Sequence, residues 1–155
     1  MKLIAKKFFS VILVGILAFS LLPVPKTLAA EPATESMSTV EDLGNGITVE
    51  TTLVIHPSVE RSSTKTATLT RDYQKDGSWI ATLALTATFS YSTSGVSVVS
   101  ASYTKNLASG WTFNSPNIKK TGGTAILTGD LKKFPFNVPV DMKISCSPTG
   151  VITKG

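Results

Sequence analysis

Residues 78–92, SWIATLALTATFSYS, alternate between apolar and polar side chains along almost their whole length. In an extended chain successive side chains point to opposite faces, so a period of two puts every second residue on the same side. One face carries Trp79, Ala81, Leu83, Leu85, Ala87, Phe89 and Tyr91, and the other carries Ser78, Thr82, Thr86, Thr88 and Ser90. A helix would scatter these residues around its circumference. The stretch therefore predicts a long antiparallel strand with one buried face.

Weaker alternation recurs on both sides of this strand, and turn-forming residues separate the segments. The apolar sets are Ile47, Val49, Leu53 and Ile55; Ala67, Leu69 and Tyr73; Val96 and Val98, or Val99, Ala101 and Tyr103; and Val140, Met142, Ile144 and Cys146. The turn signals are KDGS at 75–78, STSG at 92–95, SPN at 115–117, TGG at 121–123 and SPTG at 147–150. About seven or eight strands without an amphipathic helix predict an all-β fold. We expect an antiparallel β-sandwich, immunoglobulin-like or related, that forms a single domain over residues 44–155.

A domain of this size buries roughly two thirds of its unfolded surface, which is enough for one core without a disulfide or a metal. The large side chains expected to fill that core are Trp79, Phe89, Tyr91, Trp111, Phe113 and Phe134. Pro135 and Pro139 predict that their segment runs along a sheet edge or through a bulge, because proline cannot donate to the ladder.

The first thirty residues have the three-part layout of a secretory signal peptide. A positive head with Lys2, Lys6 and Lys7 precedes an uncharged apolar run, and small residues near Ala29 and Ala30 suit a signal peptidase. The apolar run is short for a bilayer span, so we expect no stable membrane anchor after cleavage. The layout predicts a secreted protein of a Gram-positive bacterium, free or associated with the cell wall. Residues 31–43, EPATESMSTVEDL, are acidic and without periodicity, and they predict a flexible leader.

The positive charge of the chain belongs mostly to this signal segment. The whole chain has 15 Lys and Arg against 10 Asp and Glu, for a net charge of +5. Four of those lysines lie within residues 1–30, which contain no acidic residue, so the remainder has 11 against 10 and a net charge of +1. The basic balance is therefore no evidence for nucleic-acid binding.

Cys146 is the only cysteine and His56 the only histidine. A nucleophilic thiol needs a base beside it, and nothing in the sequence brings these two residues together. One cysteine allows either a free thiol or a disulfide to another molecule. Because Cys146 continues an apolar strand face, we expect a buried thiol that reacts slowly with thiol reagents in the native protein. The intermolecular disulfide remains the alternative.

The other chemical motifs have simpler structural explanations. Asp72, Asp76 and Gly77 match part of a calcium loop, but Leu83 stands where the bidentate Glu belongs, so a hairpin turn at Asp76 and Gly77 is favoured. No metal, cofactor or catalytic residue is predicted, and we expect no enzymatic activity. The threonines at alternate positions from Thr64 to Thr70 are typical of a solvated strand face rather than of an ice-binding surface.

Four short motifs resemble a family of small secreted Firmicutes proteins that are usually described as uncharacterised. The motifs are a Phe-x-Tyr strand, a Gly-Trp pair, a Gly-x-Ala and a terminal Cys-x-x-x-Gly. They correspond to Phe89 and Tyr91, Gly110 and Trp111, Gly123 and Ala125, and Cys146 and Gly150. The resemblance covers about residues 85–150 and implies export and a β fold. It implies no activity.

Three hypotheses about function follow from these observations. The first is a secreted, non-enzymatic β-sandwich that binds a glycan or a protein at the cell surface. The second is a bacteriocin-like or toxin-like effector that acts on membranes or neighbouring cells, because strand alternation also occurs in membrane-inserting hairpins. The third is a hydrolase that depends on His56.

Overall fold

The computed structural model describes residues 34–58 and 63–155, and within them the chain forms nine strands and no helix. The signal segment and its expected cleavage site near Ala29 and Ala30 lie outside the described residues. The first five strands are β1 (Glu35–Gly44), β2 (Ile47–Ile55), β3 (Thr64–Lys75), β4 (Ser78–Ser92) and β5 (Gly95–Leu107). The other four are β6 (Thr112–Thr121), β7 (Thr124–Lys133), β8 (Phe136–Cys146) and β9 (Ile152–Lys154).

Each strand pairs antiparallel with the next one in its sheet, which gives a five-stranded sheet β1-β2-β3-β4-β5 and a four-stranded sheet β6-β7-β8-β9. The predicted antiparallel β-sandwich is therefore confirmed. Its connectivity is two consecutive meanders, whereas immunoglobulin domains use Greek-key crossings. Short turns explain the meanders, because a two-residue connection forces neighbouring strands to pair. The turn at Asp76 and Gly77 is one of these, with φ values of 50° and 77° that fit a type I′ hairpin.

The core lies between the two sheets, where their apolar faces meet. The largest fully buried side chains are Tyr73, Phe89, Leu53, Leu69, Leu83, Leu85, Leu127, Leu131, Met142, Ile144 and Val49. They come from both sheets and form one continuous cluster. The alternation of β4 is confirmed from Ala81 to Phe89, where every second residue is buried.

A bulge at the start of β4 makes the prediction for Trp79 wrong. Ala81 pairs with Tyr73 and Trp79 pairs with Gln74, so Ile80 has no partner in the register. One extra residue reverses the side on which the preceding side chain points. Ile80 is consequently buried, and Trp79 is 42% exposed with its Nε1 donating to the hydroxyl of Thr82 at 3.0 Å.

A second bulge combines the two apolar sets that the sequence offered as alternatives for β5. Val98 pairs with Phe89 and Ser100 pairs with Thr88, so Val99 is the extra residue. The bulge places Val98 and Ala101 on the same face, and residues of both sets pack against the core. Val99 itself is exposed.

Strand β1 replaces most of the flexible leader that the sequence predicted. Residues 35–44 pair with β2 over its whole length, and every residue of β1 is exposed. The leader prediction is wrong for residues 35–43, and the domain begins before Gly44. A polar segment can form an edge strand because main-chain hydrogen bonds to one neighbour hold it without an apolar face.

Pro139 lies at an open edge of the second sheet, as predicted. The main-chain N–H and C=O of Lys143 on β8 both bond to Gly155, just after β9. The main-chain nitrogen of Pro139, four residues earlier on β8, points to the same side of the strand, at a position beyond the end of β9. Pro135 lies in the β7–β8 turn after a cis peptide bond.

Phe134 in that turn is 98% exposed, so its predicted core role is wrong. The predicted turn at 115–117 is instead a bulge inside β6.

Candidate functional site

A row of polar residues crosses the inner face of the first sheet near its β1 edge. Thr39 on β1 pairs with Thr51 on β2, and Thr51 pairs with Arg71 on β3. These positions share the inward side with apolar neighbours, since Arg71 lies between the buried residues Leu69 and Tyr73. The apolar alternation of the inner face is therefore interrupted in register on three adjacent strands.

Two cationic side chains connect this row to the second sheet. Arg71 donates from a terminal nitrogen to the carbonyl oxygen of Asp141 on β8 at 2.7 Å. Lys154 on β9 donates from Nζ to the hydroxyl of Thr39 at 2.8 Å and to the carbonyl oxygen of Thr51 at 3.3 Å. Arg71 and Lys154 thus approach the same gap from opposite sheets.

We call this gap the edge cleft, and it consists of two cavities. The charged half has a volume of about 200 Å³ and is lined by Thr39, Glu41, Thr51, Arg71, Lys154 and Gly155. The uncharged half has a volume of about 220 Å³ and is lined by Leu43, Gly44, Asn45, Ile47, Asn137, Val138 and Pro139. The halves follow each other along β1, because residues 39 and 41 line the first and residues 43 and 44 line the second.

The charged half holds cations that have no carboxylate partner. The ion pairs within residues 34–58 and 63–155 join Lys75 to Asp76 and Lys132 to Asp130. Neither Arg71 nor Lys154 belongs to such a pair, although both are half-buried. Burying a charge costs free energy unless an opposite charge or hydrogen bonds compensate it. Glu41 contributes one negative charge to the same lining, whose side chains therefore comprise two cations and one anion.

Tyr73, beside this row, is 1% exposed, and its hydroxyl has no hydrogen-bond partner. The Nε of Arg71 is also buried without a partner. Burial raises the pKa of Tyr73, while the charge of the nearby Arg71 guanidinium acts in the opposite direction. The cleft therefore borders a small buried region with unused hydrogen-bonding capacity.

Cys146, by contrast, lies at the end of β8 and does not line the edge cleft. Its thiol is free and buried, and it donates to the carbonyl oxygen of Ser147 at 3.4 Å. Burial raises the pKa of this thiol, and the charge of Lys65 opposes that change. His56 forms a hydrogen bond from Nε2 to the hydroxyl of Thr68, on the outer face of the first sheet. The structure thus does not bring the thiol and the imidazole together.

The residues that carry the family resemblance have packing roles in this structure. The amide of Cys146 donates to the carbonyl oxygen of Gly123 at 2.8 Å. Gly150 packs against the ring of Tyr91, so closely that an added Cβ would lie 2.6 Å from a ring carbon. The carbonyl oxygen of Gly150 accepts a hydrogen bond from Lys65 at 2.8 Å. Residues at the two ends of the resemblance, Tyr91 and Gly150, thereby meet at one end of the fold.

The other residues of the resemblance lie elsewhere in the core. Phe89 is buried in the centre of β4, and Ala125 is buried on β7. Trp111 stacks on Phe136 at the opposite end of the sandwich, with ring centroids 6.4 Å apart. None of the residues that carry the resemblance lines the edge cleft.

The partial calcium motif forms a hairpin whose acidic residues have protein partners. Asp72 accepts a hydrogen bond from the hydroxyl of Thr82, and Asp76 pairs with Lys75. In the described part of the chain, no three His, Cys, Asp or Glu residues come together as metal ligands would. None of its elements is a helix that is long and apolar enough to cross a membrane.

One residue in the sequence indicates the cleft, although it belongs to none of the motifs described above. In TATLTRDY, the positions occupied by Ala67, Leu69 and Tyr73 define an inward face, and Arg71 occupies the same phase. A charged residue on the buried face of a strand needs a partner or an opening to solvent. Lys154 carries no such signal, because its strand is only three residues long.

Comparisons with known proteins identify no family. No family model matches the chain, and no curated protein is similar to it. Among solved structures, the chain is similar to a hypothetical protein from Listeria monocytogenes EGD-e, with a TM-score of 0.47 and 18% sequence identity. The similarity covers 77% of this chain and 93% of that one. That neighbour is a Firmicutes protein without a stated function, and membership of the uncharacterised family stays a prediction.

Proposed function

We propose that this protein is a non-enzymatic binding protein of the cell exterior, and that it holds a cell-surface glycan in the edge cleft. The proposal of export is supported by the signal-peptide layout of residues 1–30. The proposal of binding is supported by the cleft itself. It is a concave region with converging polar groups at an edge where the two sheets do not close over each other.

The volumes and the lining residues of the two halves support a glycan as the ligand. A cavity of about 150 Å³ accommodates a six-membered ring, and each half of the cleft exceeds that volume. Two ring-sized cavities in line suit two consecutive sugar units of a chain. Hydroxyl and amide side chains, such as those of Thr39, Asn45 and Asn137, suit the hydroxyl groups of sugars, and Leu43 and Ile47 offer apolar contact.

The titratable groups of the cleft suit binding better than cleavage. Glycoside hydrolysis commonly uses two carboxyl groups on either side of the scissile bond. In the described lining Glu41 is the one acidic side chain, and it is accompanied by Arg71 and Lys154. Such a set can orient a sugar by hydrogen bonds and charge.

Retention on purified cell wall and on immobilised glycans tests this proposal directly. Thr39→Trp places a large side chain in the charged half, and we expect it to abolish retention. Val40→Trp is the matched control, because Val40 is the next residue of β1, points to the opposite face and is 73% exposed. Equal retention of both variants, or no retention of the unmodified protein on any glycan, would count against the proposal.

One observation supports the second hypothesis, an effector that acts on membranes. Phe134 projects from the β7–β8 turn almost completely exposed, directly after the exposed Lys132 and Lys133. An aromatic side chain beside lysines suits the interface of an anionic bilayer. If this hypothesis is correct, the protein releases dye from anionic liposomes and Phe134→Ser reduces the release. Intact liposomes at all protein concentrations would exclude it.

A further inference from the structure

We propose that the charged half of the edge cleft binds the carboxylate of an acidic sugar. This inference rests on the proposed glycan function and specifies the chemistry of the ligand. The observation behind it is that Arg71, Lys154 and Glu41 line one cavity.

Two cations without a carboxylate partner face the same cavity. Arg71 and Lys154 are half-buried, come from opposite sheets and line the same cavity of about 200 Å³. Their hydrogen-bond acceptors are two carbonyl oxygens and one hydroxyl, none of which carries a formal charge. An anion between them would form charge-assisted hydrogen bonds, which are about twice as strong as neutral ones. The cavity therefore favours a negatively charged ligand group.

The lining also indicates how large the negative charge of the ligand group is. A carboxylate matches this lining better than a phosphate dianion does, because Glu41 in the same lining opposes a larger negative charge. The planar guanidinium of Arg71 also matches the two oxygen atoms of a carboxylate. Within the described residues, one of its terminal nitrogens donates a hydrogen bond, to the carbonyl oxygen of Asp141.

Other residues of the cleft suit the rest of the sugar unit. Glu41 can accept hydrogen bonds from sugar hydroxyl groups, and the hydroxyl of Thr39 can donate or accept. The uncharged half, which continues along β1, then receives the adjoining sugar. A uronic acid followed by a second sugar unit uses both halves of the cleft.

The experiment compares two ligands that differ only in charge. Oligogalacturonate carries free carboxylates, whereas its methyl ester has the same sugar skeleton without them. Calorimetric titration should show at least about tenfold tighter binding of the acid, since hydrogen bonds to charged groups contribute about 1.5–3 kcal/mol and 1.4 kcal/mol corresponds to a factor of ten. Oligosaccharides of hyaluronan provide a second acidic probe.

Two lysine variants show whether the preference for acid comes from the cleft. Lys154→Gln should weaken binding of the acid about tenfold and leave binding of the ester unchanged. Lys119→Gln is the control, because Lys119 is exposed on β6, the edge strand of the second sheet that lies far from the cleft in the strand order. The control variant should behave like the unmodified protein with both ligands.

Each result separates this inference from the proposed function. Binding of neither acidic probe, with retention on cell wall or a neutral glycan, overturns the carboxylate site and leaves the glycan function intact. Equal affinity for acid and ester does the same. Failure to bind any glycan overturns both. Tighter binding of a peptide with a free terminal carboxylate than of either acidic probe overturns the assignment to sugars.

Discussion

The centre of the sandwich and its β1 edge use the same strands in opposite ways. At the centre, Leu69, Leu85 and Tyr103 pair across β3, β4 and β5, and the two leucines are completely buried against the second sheet. At the edge, Thr39, Thr51 and Arg71 pair across β1, β2 and β3, and they face a cleft. Strand β3 belongs to both regions, since Leu69 and Arg71 are two residues apart.

The difference follows from what lies opposite each region. The second sheet has four strands, and its β9 edge is only three residues long, so it cannot cover all five strands of the first sheet. Where the cover ends, apolar side chains would meet water, and polar side chains take their place. The unequal sheets thus produce a closed core and an open cleft in one domain.

The largest effect should separate a core leucine from an apolar residue at the edge. Leu85→Ala leaves a cavity in the closed centre and should lower the free energy of unfolding by about 2–5 kcal/mol. Met37→Ala, on the 53% exposed Met37 of β1, should change it by less than about 0.5 kcal/mol. Urea denaturation measures both. Similar losses would show that the edge is packed as tightly as the centre.

A smaller effect should appear in the connection between β8 and β9, where Gly150 contacts Tyr91. Gly150 and Gly77 have nearly equal positive φ values, 79° and 77°, but an added Cβ meets nothing within 4 Å at Gly77. Both Ala variants bear the conformational cost, and only Gly150→Ala adds a steric clash. Thermal or urea unfolding should show Gly150→Ala less stable than Gly77→Ala by about 1–3 kcal/mol. Equal stabilities would mean that the Tyr91 ring moves away freely.

A still smaller change in stability should accompany replacement of Arg71. Arg71→Leu restores the apolar alternation of β3 and removes a charge that has no carboxylate partner, so we expect the free energy of unfolding to change by no more than about 1 kcal/mol. Binding of acidic glycans should be lost at the same time. A loss of several kcal/mol in urea denaturation would instead identify Arg71 as a structural tie between β3 and β8.

The smallest effect should be visible only at alkaline pH. Burial raises the pKa of Tyr73 above its ordinary value, so the hydroxyl ionises at lower pH in the unfolded chain than in the folded one. Its contribution to stability is complete below about pH 10, the ordinary tyrosine pKa, and is lost as the pH rises through the folded pKa. Tyr73→Phe should therefore unfold with a weaker pH dependence above pH 10, measured by denaturant titration at several pH values. An unchanged dependence would contradict this assignment.

Local patterns predicted the sandwich correctly, and errors arose where pairing with another strand decides the structure. The alternation of β4 and the Asp76-Gly77 turn depend on neighbours in the sequence, so both were predictable. Trp79 was misplaced because the bulge at Ile80 arises from pairing with β3, which the sequence of β4 alone does not show. The edge strand β1 was missed because its ten residues bury no side chain and form a strand by hydrogen bonding to β2.

The sequence by itself determined most of the strands, most of their buried faces and the inward phase of Arg71. Each of these depends on side chains a few residues apart, whose directions follow from the geometry of an extended chain. Only the tertiary structure decided that Lys154 lies across the gap from Arg71, although 83 positions separate them in the chain. That placement depends on the number and length of the strands in each sheet and on how far one sheet covers the other. The cleft is therefore a property of the packing of two sheets.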